Sequence, residues 1–345
     1  MMRSLTRARP SQTATVLALL ITLLAARANA QNDPLPSWNE GPAKQSIITL
    51  AKDVTDKSSP SYVEPQDRIA TFDQDGTLWV EHPIYTQVAF ALDRVVELAP
   101  KHPEWKATEP FKAVLTDDKA AMAKFTLRDF EKIIFATHTG MTVEQFNAIA
   151  KDWIAKARNP RWKRPYTDLV YQPMREVLDY LRANGFKTYI VTGGGQDFVR
   201  SYAVQTYGIP PEQIIGSALE TDYTYNKEGQ GILMRPPKVL LNNNFSGKPE
   251  DIYLFTGRRP QATFGNSTGD REMLEYTQTG GKEALMMLVL HDDPTREYAY
   301  GPAQGLPDTK VGTFSKALYD EARTRGWNVI SMKKDWKRIF AFDPQ

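Results

Sequence analysis

The sequence contains no cysteine, which excludes disulfide bonds, lipid-modified cysteine and thiol chemistry. Its four histidines are scattered and do not have the spacing of a zinc site. A marked excess of one charge is also missing. The 43 basic residues stand against 41 acidic ones, and four of the basic residues are arginines in the first 30 positions, where no acid occurs. The sequence therefore does not indicate a nucleic-acid-binding surface.

The N-terminal segment has the pattern of an export signal. Arg3, Arg7 and Arg9 precede an apolar stretch from Ala14 to Ala26, and Ala28-Asn29-Ala30 places small residues where a signal peptidase cuts. This pattern predicts a signal peptide over residues 1–30, cleaved after Ala30. An uncleaved membrane anchor is the alternative, although 13 apolar residues are few for crossing a bilayer. No later run is long enough for a transmembrane helix. We therefore expect a secreted or periplasmic protein without stable membrane association after cleavage.

The rest of the chain divides into three kinds of segment. Residues 31–66 are polar and rich in proline, and predict a lead-in on the surface with one short helix over 44–54. Residues 84–166 have helical periodicity, with a capping box at Thr142 and Gln145. Residues 67–83 and 167–345 alternate strand and helix, which is typical of a mostly parallel sheet with helices on both faces. The prediction is a doubly wound α/β core interrupted by an inserted helical domain.

Individual elements of the core are also predicted by this pattern. Strands are expected over 68–72, 187–192, 262–264 and 284–290, helices over 174–184, 198–207, 271–278 and 314–325, and a hairpin over 221–234.

The chemically informative side chains come directly after predicted strands. Asp73 and Asp75 follow the first strand, Thr192 the second, and Asn266 and Asp270 a later one. Ligands of open α/β sheets bind beyond the carboxyl ends of the strands. Two acids one residue apart before a glycine would repel each other unless a cation or a reacting centre used them. Mg²⁺ takes oxygen ligands of this kind.

These residues resemble the motifs of the haloacid dehalogenase-like hydrolases. Asp73-Gln74-Asp75-Gly76-Thr77-Leu78 resembles the first motif, and Thr192-Gly193-Gly194 is similar to the second. Gly247-Lys248-Pro249 is similar to the third motif, and the loop 265–270 to the fourth. All four occur in the family's order at predicted strand ends, across residues 67–290. The helical insertion between the first two motifs is similar to the cap of the phosphoserine phosphatase branch.

The resemblance implies a Mg²⁺-dependent phosphatase with a Rossmann-like core. Asp73 would be the nucleophile that forms an aspartyl-phosphate, and Asp75 would be the general acid and base. Phosphate would be bound by Thr192, Gly193 and Lys248. The groups that would hold Mg²⁺ are the carboxylate of Asp73, the backbone carbonyl of Asp75, Asn266 and Asp270.

Three assignments stay open at this point. Lys238 is an alternative to Lys248 for the third motif. Asn266 stands where the phosphatase branch usually has Asp, so one negative charge is missing, and either Asn266 or Asp270 is the direct ligand. We therefore expect a weaker affinity for the metal. Glu81 and His82, just after the first motif, either contact the leaving group or have no role.

The favoured function is an exported phosphatase acting on a small phosphorylated metabolite. One alternative is a non-catalytic binding protein on the same fold, and another is a hydrolase of a phosphoanhydride or a phosphonate. The intact nucleophile, acid and lysine favour catalysis, since a pure binding protein does not need all three together. The basic and aromatic loops over 101–110 and 158–165 do not specify a substrate.

Overall fold

The computed structural model describes residues 33–280 and 283–344, and the predicted signal peptide lies outside them. Its centre is a seven-stranded sheet in the order β6-β3-β2-β1-β7-β8-β9. All neighbouring strands pair parallel except β3 and β6, which are antiparallel. The strands are β1 (Ile69–Phe72), β2 (Lys187–Gly195), β3 (Ile214–Leu219), β4 (Asp222–Tyr225), β5 (Gly231–Met234), β6 (Val239–Leu241), β7 (Ala262–Gly265), β8 (Leu285–Leu290) and β9 (Asn328–Ser331). The predicted α/β class with a mostly parallel sheet is confirmed.

Strand β1 lies in the middle of the sheet and is buried on both faces. All four of its residues are buried, as expected for a parallel strand covered by helices on each side. Phe72 stacks on Phe264 of β7 with 4.5 Å between the ring centroids. The hydroxyls of Thr71 and Thr263 form a hydrogen bond with each other at 2.7 Å. This packing fixes the end of β1, where the first motif begins.

Helices cover the sheet and fill the segment between β1 and β2. They are α1 (Pro42–Thr55), α2 (Thr86–Leu98), α3 (Phe111–Leu115), α4 (Lys119–Met122), α5 (Leu127–His138), α6 (Val143–Lys156), α7 (Gln172–Ala183), α8 (Gln196–Arg200), α9 (Ala203–Tyr207), α10 (Gly247–Thr256), α11 (Arg271–Gln278), α12 (Lys316–Arg325) and α13 (Met332–Asp335). Across the described ranges, none of these helices combines the length and the apolar character needed to cross a bilayer.

Helices α2 to α6 form the insertion that the periodicity predicts over residues 84–166. The predicted capping box at the start of α6 is confirmed. The Thr142 side chain accepts a hydrogen bond from the backbone of Gln145 at 3.2 Å, and the Gln145 side chain accepts one from the backbone of Thr142 at 2.9 Å. The division of the chain into cap and core domains stays a prediction.

Several elements of the core differ from their predicted form. The helix predicted over 198–207 is divided into α8 and α9 at Ser201 and Tyr202. Tyr202 leaves the helical conformation with φ of −134°, and its buried ring stacks on Trp79 at 4.8 Å. Strand β2 continues through Gly195, beyond the predicted end at residue 192. Strands β3 and β6 were not predicted, whereas the hairpin over 221–234 is confirmed as β4 and β5.

The segment before β1 is part of the core, so the prediction of a surface lead-in is wrong. Leu35, Trp38 and Ile47 are fully buried in the main hydrophobic cluster. The ring of Trp38 packs edge-on against Trp336 with centroids 6.0 Å apart. The apolar face of α1 packs on β8 and β9, which explains why these side chains are shielded from water.

Candidate active site

Lys248 joins three segments at the carboxyl edge of the sheet. Its Nζ lies 2.7 Å from Oδ1 of Asp73 and 2.6 Å from Oδ1 of Asp270, and it donates to the carbonyl of Val191 at 2.9 Å. The backbone N–H of Asp73 donates to Phe264 at 2.9 Å, which holds Asp73 between β1 and β7. Burial and the nearby Asp270 raise the pKa of Asp73, and the Lys248 ammonium opposes that shift.

The two lysines considered for the third motif have different surroundings. Lys248 is buried at the start of α10, and burial works to lower its pKa, but its two carboxylate partners outweigh burial and raise it. Lys238 is exposed and pairs with Glu220 at 2.7 Å. The structure therefore brings Lys248 to Asp73 and leaves Lys238 on the surface.

Both oxygens of Asp270 are engaged within the protein. Oδ1 faces Lys248, while Oδ2 accepts the backbone N–H groups of Asn266 and Ser267, each at 3.0 Å. The side-chain amide of Asn266 contacts Thr77 and Glu81. Its Oδ1 accepts from the Thr77 hydroxyl at 3.2 Å, and that hydroxyl lies 3.4 Å from Oδ2 of Asp73. Asn266 and Asp73 thus direct oxygen atoms toward one place, and Asp270 holds the loop and the lysine.

Asp75 is the second carboxylate of the first motif. Its Oδ1 accepts a hydrogen bond from Nε1 of Trp79 at 2.7 Å. Burial raises the pKa of Asp75 to about 6, against the Trp79 hydrogen bond and the Lys248 charge. The group can therefore hold or release a proton near neutral pH, as a general acid and base requires. The contribution of Trp79 was not predicted from the sequence.

The donor set at this edge fits a hard cation. Asp73 and Asp270 contact the single ammonium of Lys248, and the buried carboxyl groups of Asp75 and Glu81 lie nearby, so acidic groups outnumber the one basic group. Within the described part of the chain, no group of three or more His, Cys, Asp and Glu side chains is arranged to hold a metal ion. A cation here would use a mixed set of oxygens that includes the Asn266 amide and the Asp75 carbonyl, and Mg²⁺ accepts such sets together with water.

The second motif lies beside the first. Phe72 is aligned with Ile190 in the β1–β2 pairing, so the buried Thr192 reaches the edge of the sheet where Asp73 is found. The pairing of β2 with β3 shifts register between Thr192 and Gly195, and such irregularities re-aim side chains. The N–H of Gly194 donates to the Thr192 hydroxyl at 3.0 Å. A Cβ on Gly193 would meet the end of the exposed Asn244 side chain, which would have to move aside.

Glu81 and Tyr300 are site residues that come from distant parts of the sequence. Oε1 of Glu81 accepts from Nδ2 of Asn266 at 2.7 Å and from the Tyr300 hydroxyl at 2.8 Å. Burial raises the pKa of Glu81 well above its usual value, and the Tyr300 hydrogen bond opposes the shift. The sequence indicates a position for Glu81 near the site, but nothing local to residue 300 indicates that it returns there.

Two histidines pack around this region. His82 is largely buried, and burial lowers its pKa to about 4. Its Nε2 lies 3.2 Å from the carbonyl of Val311. Nε2 of His291 lies 2.8 Å from the carbonyl of Gly76, and its Nδ1 faces Glu297 at 3.1 Å. The segment after β8 therefore supports the loop of the first motif.

A line of hydrogen bonds joins the helical insertion to the second motif. The N–H of Gly195 donates to Oε1 of Gln87 at 2.7 Å, and Nε2 of Gln87 lies 3.3 Å from Nε2 of His138. Nδ1 of His138 lies 2.7 Å from the Thr137 hydroxyl, which itself donates to Ile133 at 2.7 Å. This order of donors and acceptors requires a neutral His138 with its proton on Nδ1. Burial, with Arg235 and Arg94 nearby, lowers the pKa of His138 to about 3.

The fold and the site define an α/β protein with an acidic centre at the carboxyl edge of its parallel sheet. The particular family follows from comparison with known sequences. The family model of the haloacid dehalogenase-like hydrolases matches residues 70–275, and the chain belongs to this family. The match contains the first two motifs, Lys248 and the loop around Asp270.

Solved structures with a similar fold have low sequence identity to this chain. A conserved functionally unknown protein from Anaerococcus prevotii DSM 20548 is 14% identical, with a TM-score of 0.50 over 84% of this chain and 91% of that one. A protein with unknown function from Bordetella pertussis Tohama I is 16% identical, with a TM-score of 0.46 over 76% and 97%. A phosphoserine phosphohydrolase-like protein from Francisella tularensis subsp. tularensis SCHU S4 is 16% identical, with a TM-score of 0.35 over 65% and 88%. Comparison with curated protein sequences gave no match.

Proposed function

We propose that this protein is a Mg²⁺-dependent phosphatase that hydrolyses a small phosphomonoester through an aspartyl-phosphate. The observation that carries the proposal is the Asp73–Lys248–Asp270 arrangement beside Asp75. Lys248 offsets the charge of Asp73 and of an incoming phosphoryl group, so an anionic substrate can approach an anionic nucleophile. Its second partner, Asp270, holds the ammonium in place.

Two displacements at phosphorus complete the reaction. A carboxylate oxygen of Asp73 forms a bond to phosphorus while the ester bond breaks, and the leaving alkoxide takes the proton of Asp75. Water then attacks the aspartyl-phosphate and gives its proton to Asp75. Release of inorganic phosphate restores Asp73 and leaves Asp75 protonated for the next turnover. The pKa of about 6 for Asp75 suits both directions of transfer.

Other groups bind and orient the phosphoryl oxygens. The hydroxyl of Thr192 and the N–H of Gly193 lie at the same edge of the sheet as Asp73 and would donate to them. Asp73, the carbonyl of Asp75 and Asn266 would hold Mg²⁺, which supplies positive charge to the transferring phosphoryl group when it is bound. Asp270 is not assigned as a direct ligand, because its Oδ1 pairs with Lys248 and its Oδ2 accepts two loop N–H groups. Among the residues that the structure describes, Oδ2 of Asp73 and Oδ1 of Asn266 each face only the Thr77 hydroxyl.

The remaining parts of the proposal concern where the protein acts, how the site is covered and what the protein binds. The signal-peptide pattern of residues 1–30 supports export to the periplasm or the exterior, where a phosphatase would act on small phosphorylated metabolites. The insertion between β1 and β2 would cover the site as a helical cap, and its contact at Gln87 with the second motif supports that arrangement. Neither nucleic acid nor a membrane is proposed as a partner.

Phosphate release from a panel of phosphomonoesters tests the reaction. We expect release in the presence of Mg²⁺, none with a chelator, and a loss of at least about 10³-fold in kcat for Asp73→Asn, since an amide is a very poor nucleophile. Asp67→Asn is a matched control, because Asp67 is an exposed acid just before β1 that pairs with Arg258 at 2.9 Å. Release that survives Asp73→Asn would contradict the assigned nucleophile.

A further inference from the structure

Asn266 has a defined orientation because its two amide ends have different partners. Nδ2 donates to Oε1 of Glu81 at 2.7 Å, and Oδ1 accepts from the Thr77 hydroxyl at 3.2 Å. A flipped amide would place Oδ1 against the Glu81 carboxylate, where two acceptors would repel each other. Glu81 therefore turns the amide oxygen toward Asp73, which is the side on which a cation would be held.

The Glu81 carboxylate is itself firmly held. It is 2% exposed, and the Tyr300 hydroxyl donates to the same oxygen that faces Asn266, at 2.8 Å. Two glycines with positive φ make room for it. A Cβ on Gly76 would overlap both the Asn266 amide and the Glu81 carboxylate, and a Cβ on Gly312 would overlap the Glu81 carboxylate. The loop of the first motif and the segment after β8 thus form a socket around this one side chain.

We propose that Glu81 is a positioning residue for the metal, and that Glu81 and Asn266 act as one unit. The Glu81 carboxylate directs Oδ1 of Asn266 toward the cation. A bound cation favours the ionised form of this buried carboxyl group, which then supplies, one hydrogen bond away, the negative charge that a carboxylate at position 266 would carry. The inference rests on the proposed function, since it assigns a role in binding the same Mg²⁺. It also explains how an amide can occupy this position of an acidic loop.

The contribution of the Glu81 charge is tested by the metal affinity of the full chain. We would measure that affinity by titration calorimetry, with Mn²⁺ as the probe. Glu81→Gln keeps a hydrogen-bond acceptor for Asn266 but removes the charge. We expect its Kd for Mn²⁺ to rise by about 10- to 100-fold, the range seen when groups that orient metal ligands are changed. The double variant Glu81→Gln/Asn266→Asp exchanges the carboxylate and the amide. It should restore the Kd to within about threefold of wild type, because the charge and the hydrogen bond are both present again.

Thermal unfolding in chelator provides a readout that needs no metal and no activity. Asn266→Asp alone places a second carboxylate against Glu81 and should lower Tm, whereas adding Glu81→Gln to that variant should raise it again. Glu297→Gln is the matched control. Glu297 is also fully buried and faces His291 at 3.1 Å, and it makes no hydrogen bond to Asn266. Its effect on Tm should simply add to that of Asn266→Asp.

The outcomes separate this inference from the proposed function. Mn²⁺ binding by Glu81→Gln within twofold of wild type, or strictly additive changes in Tm for Glu81→Gln and Asn266→Asp, would overturn the role of Glu81 and leave the phosphatase in place. A wild-type protein that binds no Mn²⁺ and releases no phosphate would overturn both. If Glu81→Gln loses affinity for Mn²⁺ and the double variant recovers it, then Glu81 and Asn266 act together in binding the metal.

Discussion

Lys248 places one ammonium between two buried carboxylates, and this arrangement determines much of the site's electrostatics. Asp73 and Asp270 each lie within 2.7 Å of Nζ. Without the ammonium, the two acids would face each other in a region with little water. Removing one partner of a buried charge network costs about 3–5 kcal/mol, because the remaining charges are left without compensation.

Lys248→Met tests this balance. We expect the free energy of unfolding to fall by about 3 kcal/mol or more at pH 7 in chelator. The raised pKa of Asp73 would rise further, so the folded state would bind more protons than the unfolded state. Relative to wild type, the variant should therefore regain stability as the pH falls from 7 toward 5. Urea unfolding at several pH values measures both effects.

Lys238→Met is the matched control for that experiment. Lys238 is exposed and pairs with Glu220 on the surface, and exposed ion pairs contribute about 0–1 kcal/mol. A larger loss of stability or of phosphate release in Lys238→Met than in Lys248→Met would contradict the assignment of the third motif.

The sequence predicts which side chains lie together where these residues follow strands and belong to local motifs. Asp73, Asp75 and Asp270 have this signal, and the structure places them at one edge of the sheet. Asp75's partner Trp79 and the Glu81–Tyr300 contact have no such signal. Tyr300 is separated from Glu81 by 219 residues, so only the folded chain shows that the two side chains meet.

At the scale of elements, the buried strands with continuous apolar runs are the most predictable. Strand β8 differs from its predicted range by one residue, whereas Gly216 interrupts the apolar run of β3, and the sequence does not predict this strand. Helices α8 and α9 have one continuous helical pattern in the sequence. Their division depends on Tyr202 packing on Trp79, a tertiary contact that outweighs local helix preference.

The contact between α5 and the second motif carries a prediction about pH. Burial lowers the pKa of His138 to about 3 in the folded state, whereas an unfolded histidine has a pKa of about 6.5. Between these values the unfolded state binds more protons, so stability is lost as the pH falls below about 6.5. Wild type should lose about 1.5 kcal/mol more than His138→Gln between pH 6.5 and pH 5, as measured by urea unfolding.

An exposed histidine gives the comparison. His102→Gln is the control, because the side chain of His102 is 42% exposed and faces Glu104 rather than Gln87. If His138→Gln and wild type lose the same stability between the two pH values, then His138 is not the buried neutral group that the hydrogen-bond line from Gly195 requires.

Across the whole molecule, the segment before β1 and the segment after β8 close around the same sheet. Trp38 and Trp336 belong to these two segments and pack together. The segment after β8 also brings Tyr300 to Glu81 and His291 to the loop of the first motif. The prolines and polar residues of the first segment favour the prediction of a surface lead-in. That prediction fails because composition does not show which face of α1 packs on β8 and β9. The N-terminal helix and the site are thus parts of one packed unit.

Ile47→Ala tests that conclusion. Ile47 is fully buried in the main cluster, and truncation of such a side chain costs about 2–5 kcal/mol. Thr49→Ala, on the exposed side of the same helix, should change stability by less than about 0.5 kcal/mol. Tryptophan fluorescence and far-ultraviolet circular dichroism should report one coincident urea transition in Ile47→Ala, shifted to lower urea. Two outcomes in Ile47→Ala would mean that the N-terminal segment folds independently of the sheet that holds Asp73. One is a separate transition at low urea, and the other is a decrease of less than about 1 kcal/mol in the free energy of unfolding.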